Sequence, residues 1–409
     1  MTVSLLTNVR AVLPDRIADN ASIAVEGGRI VGVEADRNYA SGVDGHGALC
    51  LPGLIDTHSD AIEKEITPRP AVELDESFAL RSLEGRVLAA GITTVCHGIG
   101  FEDSPGYGRS VDLASRLVDV IEQRRKSDAA PVDHRILYRV PARSINGVDA
   151  AMARLAVGQG PGESPLLSFE DHTPGQGQFR DINRFKQYLT RARMEPGDDV
   201  DDYITRRIAE GEAMLPKRNE NLARVSQLAC TGGARVLVHD CEEAPDMDEA
   251  RKWGAAVAEF PLSVGAARVA REHGMPVVMG APNVLRGGSH SGNVDAEEVI
   301  RRGLCTSLAS DYLPSSLLAA AFLLVERGAA SLAQAVRLVT AGPTEVLGVA
   351  DRGRIEVGAR ADLTLVGLDG RWPRVHRVIR ASGGAIDGTS SGAIDGGLTV
   401  SPLAETLAG

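Results

Sequence analysis

The sequence predicts an α/β fold, a TIM-type (β/α)8 barrel joined to a small β-sandwich domain formed by both chain termini. Eight apolar segments in the middle of the chain each end in polar or small residues and precede a helical pattern. Eight such units over roughly 290 residues suit a barrel, whose usual size is about 250 residues. The chain of 409 residues is long enough for one large barrel and a smaller domain.

The two ends of the chain predict the smaller domain. SIAVEGGRIVGVEA contains two β-rich runs separated by Gly27-Gly28, and GRIEVGARADLTLVGLDG (353–370) has the same texture. We expect residues 1–50 and 344–385 to form the β-sandwich domain, and residues 51–343 to form the barrel. The segment 386–409 is rich in Gly, Ser, Ala and Asp and is predicted to be a flexible tail.

The barrel strands are predicted from apolar runs that alternate with helical stretches. A charged insertion at about 183–220 is predicted to be helical, and it could serve as a lid or as an oligomer contact. The eight runs are CLPGLIDTHSD (50–60), GITTVCHGIG (91–100), RILYRVPAR (135–143), PLLSFEDHTPG (165–175), ARVLVHDCEE (234–243), VAEFPLS (257–263), PVVMGAPN (276–283) and TSLASDYLP (306–314).

Composition narrows the class of protein. The chain carries 44 basic and 55 acidic residues, a net charge of −11, which argues against nucleic acid as a partner because phosphate backbones are held by Lys and Arg. A local basic pocket for a small phosphorylated substrate stays compatible with this balance. The apolar runs are too short for a membrane span, and the N-terminus does not have the pattern of a signal peptide.

The five cysteines are odd in number and form no C-x-x-C pair. This usage predicts reduced thiols in a cytoplasmic protein rather than a disulfide framework or a Cys-rich zinc site. Cys96, Cys241 and Cys305 fall near predicted strand ends, where we interpret them as small buried fillers rather than nucleophiles.

Acidic residues and histidines gather where the predicted strands end, which is where barrel enzymes place their active residues. A single histidine at a strand end is more often structural, but the joint pattern indicates a metal site built from His and carboxylate ligands. His58 and Asp60 are two residues apart in a strand, so they share a side and can hold one ion as H-x-D. The other candidates are Glu170, Asp171 or His172 after strand 4, His239 after strand 5, Glu259 after strand 6 and Asp311 after strand 8.

The loop after the seventh strand predicts an anion site. RGGSHSGN combines an arginine, glycines that permit close backbone approach, hydroxyls, an imidazole and an amide. The alternative is a solvent-exposed loop without a ligand. The candidate substrate-binding residues are Arg286, Ser289, His290 and Asn293, together with Lys64 and Arg69 shortly after the H-x-D motif.

Several of these motifs resemble one known family. LPGLIDTHSD resembles the first-strand motif of the amidohydrolase superfamily, and RGRIEVGARADLTLV resembles its returning C-terminal β-segment. The resemblance is closer still to the alpha-D-ribose 1-methylphosphonate 5-triphosphate diphosphatase family of the carbon–phosphorus lyase pathway. It rests on PGLIDTHSDAIEKEITPRP (52–70), AGITTV (90–95), FEDHTPGQGQF (169–179), VAEFPLS (257–263), HGMPVVMGAPNVLRGGSHSGNV (273–294) and LASDYLPSSLLAAAF (308–322).

The resemblance implies hydrolysis of a ribose 5-triphosphate that carries a phosphonate at C1, with pyrophosphate and the 5-phosphate as products. Two departures from the superfamily pattern bear on the ligands: the first motif is H-x-D rather than H-x-H, and no lysine ends strand 4. Strand alternation puts Glu170 and His172 on one side and Asp171 on the other. The family resemblance instead favours Asp171 with His172, so the strand 4 ligand stays open.

A mechanism follows from these expectations. One or two divalent ions, Zn²⁺ first and Mn²⁺ or Fe²⁺ as alternatives, activate a water, and Asp311 accepts its proton. The runner-up activity is hydrolysis or deamination of an amide or cyclic imide at the same site. A non-enzymatic scaffold is a third reading, which the full set of ligand types disfavours. The partner is a phosphorylated ribose, with no membrane partner and a homo-oligomer left open.

Overall fold

A computed structural model describes residues 3–37, 39, 41–69, 71–104, 108–156, 164–191, 199–289 and 292–381. Its fifteen described strands are β1 Ser4–Val12, β2 Ile17–Glu26, β3 Arg29–Glu34, β4 Val43–Asp44, β5 Leu49–Pro52, β6 Leu54–Ser59, β7 Ile92–Gly100, β8 Asp133–Pro141, β9 Leu166–Glu170, β10 Arg235–His239, β11 Val257–Glu259, β12 Val277–Gly280, β13 Ser307–Ala309, β14 Leu363–Asp369 and β15 Trp372–Ile379.

The helices of the described chain follow most of the parallel strands. They are α1 Ala61–Ile66, α2 Glu76–Ala89, α3 Val111–Arg125, α4 Gly147–Leu155, α5 Ile182–Arg191, α6 Val200–Ala213, α7 Leu215–Cys230, α8 Ala244–Lys252, α9 Val264–Glu272, α10 Ala281–Arg286, α11 Ala296–Arg301, α12 Ser316–Glu326, α13 Leu332–Arg337 and α14 Ala341–Leu347. Within the described residues, no helix is both long and apolar enough to cross a bilayer.

The predicted barrel strands are all present. Strands β6 to β13 form one eight-stranded sheet in which chain neighbours are sheet neighbours. Strands β6, β7, β9 and β11 are buried along their whole length. Parallel strands that helices cover on both faces are buried in this way, which explains why they are predicted from nearly continuous apolar runs. The (β/α)8 fold class is therefore confirmed, and the predicted helical insertion corresponds to α5, α6 and α7.

The terminal segments form a separate seven-stranded mixed sheet. Its order is β15-β14-β5-β1-β2-β3, with β4 paired to β1. Strand β5 connects the two ends of the chain, because it pairs parallel to β1 and antiparallel to β14. A core of buried side chains from both ends, including Ile23, Ile30 and Leu363, holds this domain together. The predicted flexible tail, 386–409, lies outside the described residues.

The chain divides into two compact units. The first comprises the described residues of Met1–His97, Gln123–Arg135 and Thr306–Gly409, and the second those of Gly98–Glu122 and Ile136–Cys305. In the first unit, β6 pairs parallel to β7, and Ser59 forms a parallel bridge with Asp311 after β13. In the second, β8 to β12 include parallel pairs β8–β9, β9–β10, β10–β11 and β11–β12.

All five cysteines lie within the described residues, and none of them forms a disulfide with another. Cys50, Cys96 and Cys241 are buried, Cys305 is half-buried and Cys230 is exposed. Burial raises the pKa of the Cys96 and Cys241 thiols, which makes thiolate formation unfavourable. These two residues therefore behave as the buried fillers predicted from sequence, while Cys305 is only partly covered.

A buried ion pair stabilises the first unit. Arg352 pairs with Asp133, donates to Thr94 Oγ1 at 3.1 Å and pairs with Asp351 at 2.9 Å. Burial alone would raise the pKa of Asp133, but the charges of Arg352 and Arg135 outweigh it and lower the pKa to about 2. Asp133 therefore contributes stability above its unfolded pKa, near 4, and loses it as the pH falls toward 2.

Asp133→Asn is expected to lower the free energy of unfolding by about 2 to 3 kcal/mol at neutral pH. The variant should also lose stability less steeply than the wild type between pH 4 and pH 2, because the titrating carboxylate is gone. Denaturant unfolding followed at several pH values measures both effects. Equal acid dependence in the two proteins would show that the Arg352 pair does not depress the pKa.

Candidate functional site

The first donor group consists of His58, Asp60 and Asp311, all in the first unit. Strand β6 ends at Ser59, and Asp60 stands between it and α1, at the N-cap position of that helix. His58 Nε2 lies 3.3 Å from Asp60 Oδ1. One ligand atom from each of the three residues lies within 4.8 Å of the others, a spacing that one cation can bridge.

Backbone hydrogen bonds hold the first donor group in place. Asp60 N donates to Asp311 O at 2.6 Å, and Asp311 N donates to His58 O at 2.9 Å. Asp311 has a φ of 56°, a left-handed conformation that is uncommon outside glycine. Such strain persists only where surrounding structure enforces it, and it is concentrated at functional sites.

Asp56, a buried residue of β6, anchors this arrangement, and the sequence prediction did not include it. Its fully buried carboxylate accepts a 2.5 Å hydrogen bond from Ser310 Oγ and a 3.0 Å bond from Ser310 N. Burial raises the pKa of Asp56 to about 6. The only sequence signal for it is an acidic residue that follows the apolar pair Leu54-Ile55 and precedes His58 by two positions.

The second donor group consists of Glu170, His172 and His239, all in the second unit. Glu170 and His239 are the last residues of β9 and β10, and His172 follows β9 by two positions. Ligand atoms of the three lie within 4.8 Å of one another. Glu170 Oε2 lies 4.0 Å from His239 Nε2.

Charged neighbours shift the pKa values of Glu170 and His239 in the second donor group. Glu170 is buried and paired with Arg139 at 3.0 Å. Burial would raise the pKa of Glu170, but the charges of Arg139, His172 and His239 outweigh it and lower the pKa to about 2. Burial likewise opposes charge on His239, yet the surrounding carboxylates raise its pKa to about 9. The group therefore combines one buried carboxylate with two half-buried imidazoles whose charges influence one another.

Glu259, a predicted metal ligand, lies against the other nitrogen of His239. Its Oε2 lies 2.8 Å from His239 Nδ1 and accepts a 2.5 Å hydrogen bond from Ser168 Oγ. A carboxylate in this position fixes the imidazole tautomer, so that Nε2 is the nitrogen presented to a metal. Ser168 is a further residue that the sequence prediction missed, since a serine within a strand gives no distinctive signal.

The fit of a divalent cation to the second donor group is supported by a buried nitrogen. His172 Nε2 is buried, and among the described residues it has no hydrogen-bond partner. A buried polar atom without a partner costs free energy, which a bound cation would offset. Imidazole and carboxylate donors suit Zn²⁺, Mn²⁺ and Fe²⁺. The donor set of both groups therefore fits the predicted metal.

Asp171, predicted as a ligand with His172, is not brought into either group. Arg143 Nε lies 3.0 and 2.9 Å from its two oxygens, and Arg218 Nε lies 3.4 Å from one of them. Thr173 Oγ1 donates to it at 2.7 Å. The physical reason is strand alternation, which turns Asp171 away from Glu170 and His172. Among the described residues, it is Glu170 whose carboxylate oxygen lies close enough to His172 and His239 to share one ion with them.

The ion pair of Asp171 attaches the helical insertion to this loop. Arg143 also donates from Nη1 to the carbonyl oxygen of Gly211, near the C-terminal end of α6. A Cβ atom at Gly211 would lie 2.4 Å from Thr173 Cγ2. Only glycine permits this close approach of α6 to the loop that carries His172.

Gly211→Ala is expected to destabilise the protein by about 1 to 3 kcal/mol, because the added methyl overlaps Thr173. Displacement of the 170–173 loop should also weaken metal binding. Thermal unfolding and metal titration measure the two effects. Gly85→Ala is the matched control: Gly85 lies in helix α2 with open space around it, so its substitution should be neutral or slightly stabilising. Equal behaviour of the two variants would contradict the packing argument.

Of the predicted substrate-binding residues, five lie within the described part of the chain. Lys64, Arg69 and Arg286 are exposed. Ser289 and Asn293 are half-buried, and His290 lies outside the described residues. Arg286 ends α10, and Gly287 closes that helix with a φ of 72°.

The glycine loop after α10 is anchored by a residue that the sequence prediction missed. Asn283 Nδ2 donates to Val294 O at 3.2 Å, and its Oδ1 accepts from Ala296 N at 3.0 Å. Arg184 of α5 packs so closely on Gly292 that a Cβ there would lie 1.9 Å from its Nη1. The structure thus adds one more cation to the loop that was predicted to bind an anion.

The chain is similar to known proteins in three comparisons of different kinds, of which two concern sequence. The sequence profile of the Amidohydrolase family matches residues 49–389. The chain is 33% identical over 388 residues to alpha-D-ribose 1-methylphosphonate 5-triphosphate diphosphatase of Escherichia coli (strain K12), which covers 91% of this chain and 100% of that protein. It is 26% identical to an imidazolonepropionase of Anaeromyxobacter dehalogenans, over 85% of this chain and 84% of that one.

A solved structure supports the fold. The crystal structure of enamidase, described as a member of the amidohydrolase superfamily, superposes with a TM-score of 0.57 at 15% identity. The match covers 93% of this chain and 95% of that chain. At this identity the likeness concerns the fold alone, and it agrees with the barrel and terminal β-domain predicted from sequence.

Proposed function

Because the chain belongs to the amidohydrolase family, we propose that it is a metal-dependent diphosphatase. The substrate would be alpha-D-ribose 1-methylphosphonate 5-triphosphate, and the products pyrophosphate and the 5-phosphate. The observation that carries this reaction is the identity with the Escherichia coli diphosphatase along that protein's whole length. The two donor groups at strand ends support the metal dependence.

The residues proposed to hold divalent cations are those of the two donor groups. His58, Asp60 and Asp311 would hold one ion, and Glu170, His172 and His239 would hold another. When bound, such a cation supplies Lewis acidity toward phosphoryl oxygens and lowers the pKa of water. Zn²⁺ is the first expectation, with Mn²⁺ and Fe²⁺ as alternatives.

Asp311 is proposed as the general base that takes the proton from the attacking water. Backbone hydrogen bonds to His58 and Asp60 fix its position among the residues of the first donor group. Glu259 would hold the His239 ring in one tautomer throughout the reaction. Arg139 would keep Glu170 ionised, as its lowered pKa indicates.

Three predicted cations are suited to bind the phosphates. Among the described residues, Lys64, Arg69 and Arg286 are exposed and form no ion pair with a carboxylate. Their charges are therefore available to an anionic ligand, in contrast to Arg143, which is already paired with Asp171. The loop residues Ser289, His290 and Asn293 are proposed to add hydroxyl, imidazole and amide contacts.

A substrate panel tests the proposal. The metal-loaded enzyme is expected to release pyrophosphate from the ribose 5-triphosphate and to leave cyclic amides and imides unchanged. The runner-up activity on a C–N bond has a specific observation in its favour, the 26% identity to an imidazolonepropionase. Ring opening of a cyclic amide without pyrophosphate release would support that alternative and refute the diphosphatase.

Substitution of the three cations separates the same alternatives. Lys64→Ala, Arg69→Ala and Arg286→Ala should each raise KM for a triphosphate, because each removes a charge that a highly anionic substrate needs. A neutral amide substrate would be indifferent to them. Unchanged KM for the triphosphate in all three variants would remove these residues from the proposed binding site.

A further inference from the structure

Asp240 lies beside the second donor group, and one oxygen of its carboxylate has no hydrogen-bond partner among the described residues. It follows His239 directly, at the end of β10. Its Oδ2 is buried and, among the described residues, has no hydrogen-bond partner. A buried, ionised oxygen in that state is unfavourable unless a cation lies close to it.

The same oxygen faces both imidazoles of the group. Asp240 Oδ2 lies 3.5 Å from His172 Nε2 and 3.6 Å from His239 Nε2. His172 Nε2 likewise has no hydrogen-bond partner among the described residues. Two buried polar atoms face each other at this distance without forming a hydrogen bond, an arrangement that one ion between them would satisfy.

The backbone explains how Asp240 comes to face this group. Alternation along a strand would turn consecutive residues to opposite sides, so His239 and Asp240 should diverge. Asp240 instead adopts a φ of 56°, which breaks the alternation immediately after the strand. A left-handed aspartate costs free energy, and such conformations are concentrated where a side chain must reach a functional position.

We infer that Asp240 is a metal ligand of the second donor group, completing a set with Glu170, His172 and His239. This inference rests on the proposed function, because it requires that the second group binds a divalent cation. Two imidazoles and two carboxylates form a four-donor set of the kind that Zn²⁺ and related ions accept. Asp171, the neighbouring carboxylate favoured by the family motif, is occupied by Arg143 instead.

Metal binding by full-length variants tests the inference. The chelator-treated protein is reloaded with Zn²⁺, and metal content and affinity are measured by elemental analysis and chelator competition. Asp240→Asn and His172→Ala should each lower the affinity of the same ion at least about tenfold. Glu242→Gln is the matched control in the same loop, because its Oε1 can still accept the 2.6 Å hydrogen bond from Gly177 N.

Thermal unfolding distinguishes a ligand from a structural residue. Asp240→Gly fits the left-handed backbone without strain and removes the buried carboxylate. Its metal-free form should unfold at a temperature no lower than that of the metal-free wild type. The loaded variant should lose most of the increase in midpoint that Zn²⁺ gives the wild type. A lowered midpoint in the metal-free form with unchanged metal affinity would assign Asp240 a structural role and overturn the inference.

The outcomes separate this inference from the proposed function. If His172→Ala loses the ion and Asp240→Asn keeps it at wild-type affinity, the Asp240 inference is wrong and the second metal group stands. If His172→Ala also keeps the ion, the second donor group does not bind it. The Asp240 inference and the proposed second metal site are then both wrong. If both variants lose it and Glu242→Gln keeps it, the inference is supported.

Discussion

Asp311→Asn is expected to lower kcat for the ribose 5-triphosphate about 10³-fold, within the range that a general base contributes. The amide cannot accept the proton of the attacking water at neutral pH. The fold should persist, because asparagine tolerates the left-handed conformation at φ 56° and the hydrogen bonds to His58 and Asp60 are made by the backbone. Steady-state kinetics with pyrophosphate detection measures the loss.

The control for Asp311 is a carboxylate outside the donor groups. Asp369 is exposed at the end of β14, so Asp369→Asn should retain wild-type kcat. Metal content of Asp311→Asn should be determined in parallel, since loss of the ion and loss of the base lower the rate for different reasons. Wild-type kcat in Asp311→Asn with bound metal would remove the base role.

His239→Ala is expected to have the second-largest effect. The substitution removes one donor of the second group and leaves Glu259 buried without its imidazole partner. Metal affinity should fall more than about 100-fold. Loss of a residue that only hydrogen-bonds to a metal ligand already lowers metal affinity about 10- to 100-fold, and His239 is itself a proposed ligand. Activity at limiting metal should fall with it.

Elemental analysis after dialysis, together with thermal unfolding, measures the effect of His239→Ala. His273→Ala serves as the comparison, because His273 is exposed and lies 3.3 Å from Asp248, away from the strand ends. That variant should keep its metal and its activity. Full metal occupancy in His239→Ala would contradict the assignment of the second donor group.

Apolar periodicity was sufficient to predict the fold. Each of the eight predicted barrel strands is present, because parallel strands covered on both sides must be apolar throughout and end where the chain meets solvent. The terminal β-domain could also be predicted, since both ends of the chain contain short β-rich runs separated by turns. Strand pairing across more than 300 residues, as between β5 and β14, was predicted only as a common domain and not as a register.

The candidate ligands were predicted less completely, and backbone conformation explains why. Alternation correctly separates Asp171 from Glu170 and His172, whereas the family motif pointed to Asp171. Alternation fails at Asp240, because a left-handed residue directly after a strand reverses the side to which its side chain turns. That φ angle has no signature in the sequence.

Residues that support the ligands were the hardest to predict. Asp56 and Ser168 act through hydrogen bonds to Ser310 and Glu259, which are distant in sequence. Gly211 matters because α6 approaches Thr173, a contact that depends on how the insertion packs. Such roles arise from tertiary contacts, and a single sequence contains no local pattern for them.

The most direct test of the central claim is ³¹P NMR of the products formed from alpha-D-ribose 1-methylphosphonate 5-triphosphate. The chelator-stripped enzyme and the same enzyme reloaded with Zn²⁺, Mn²⁺ or Fe²⁺ are compared. A metal-dependent diphosphatase should yield equal amounts of pyrophosphate and the 5-phosphate, and only after reloading. Release of inorganic phosphate with a 5-diphosphate, or no cleavage by any metal-loaded form, would contradict the proposed function.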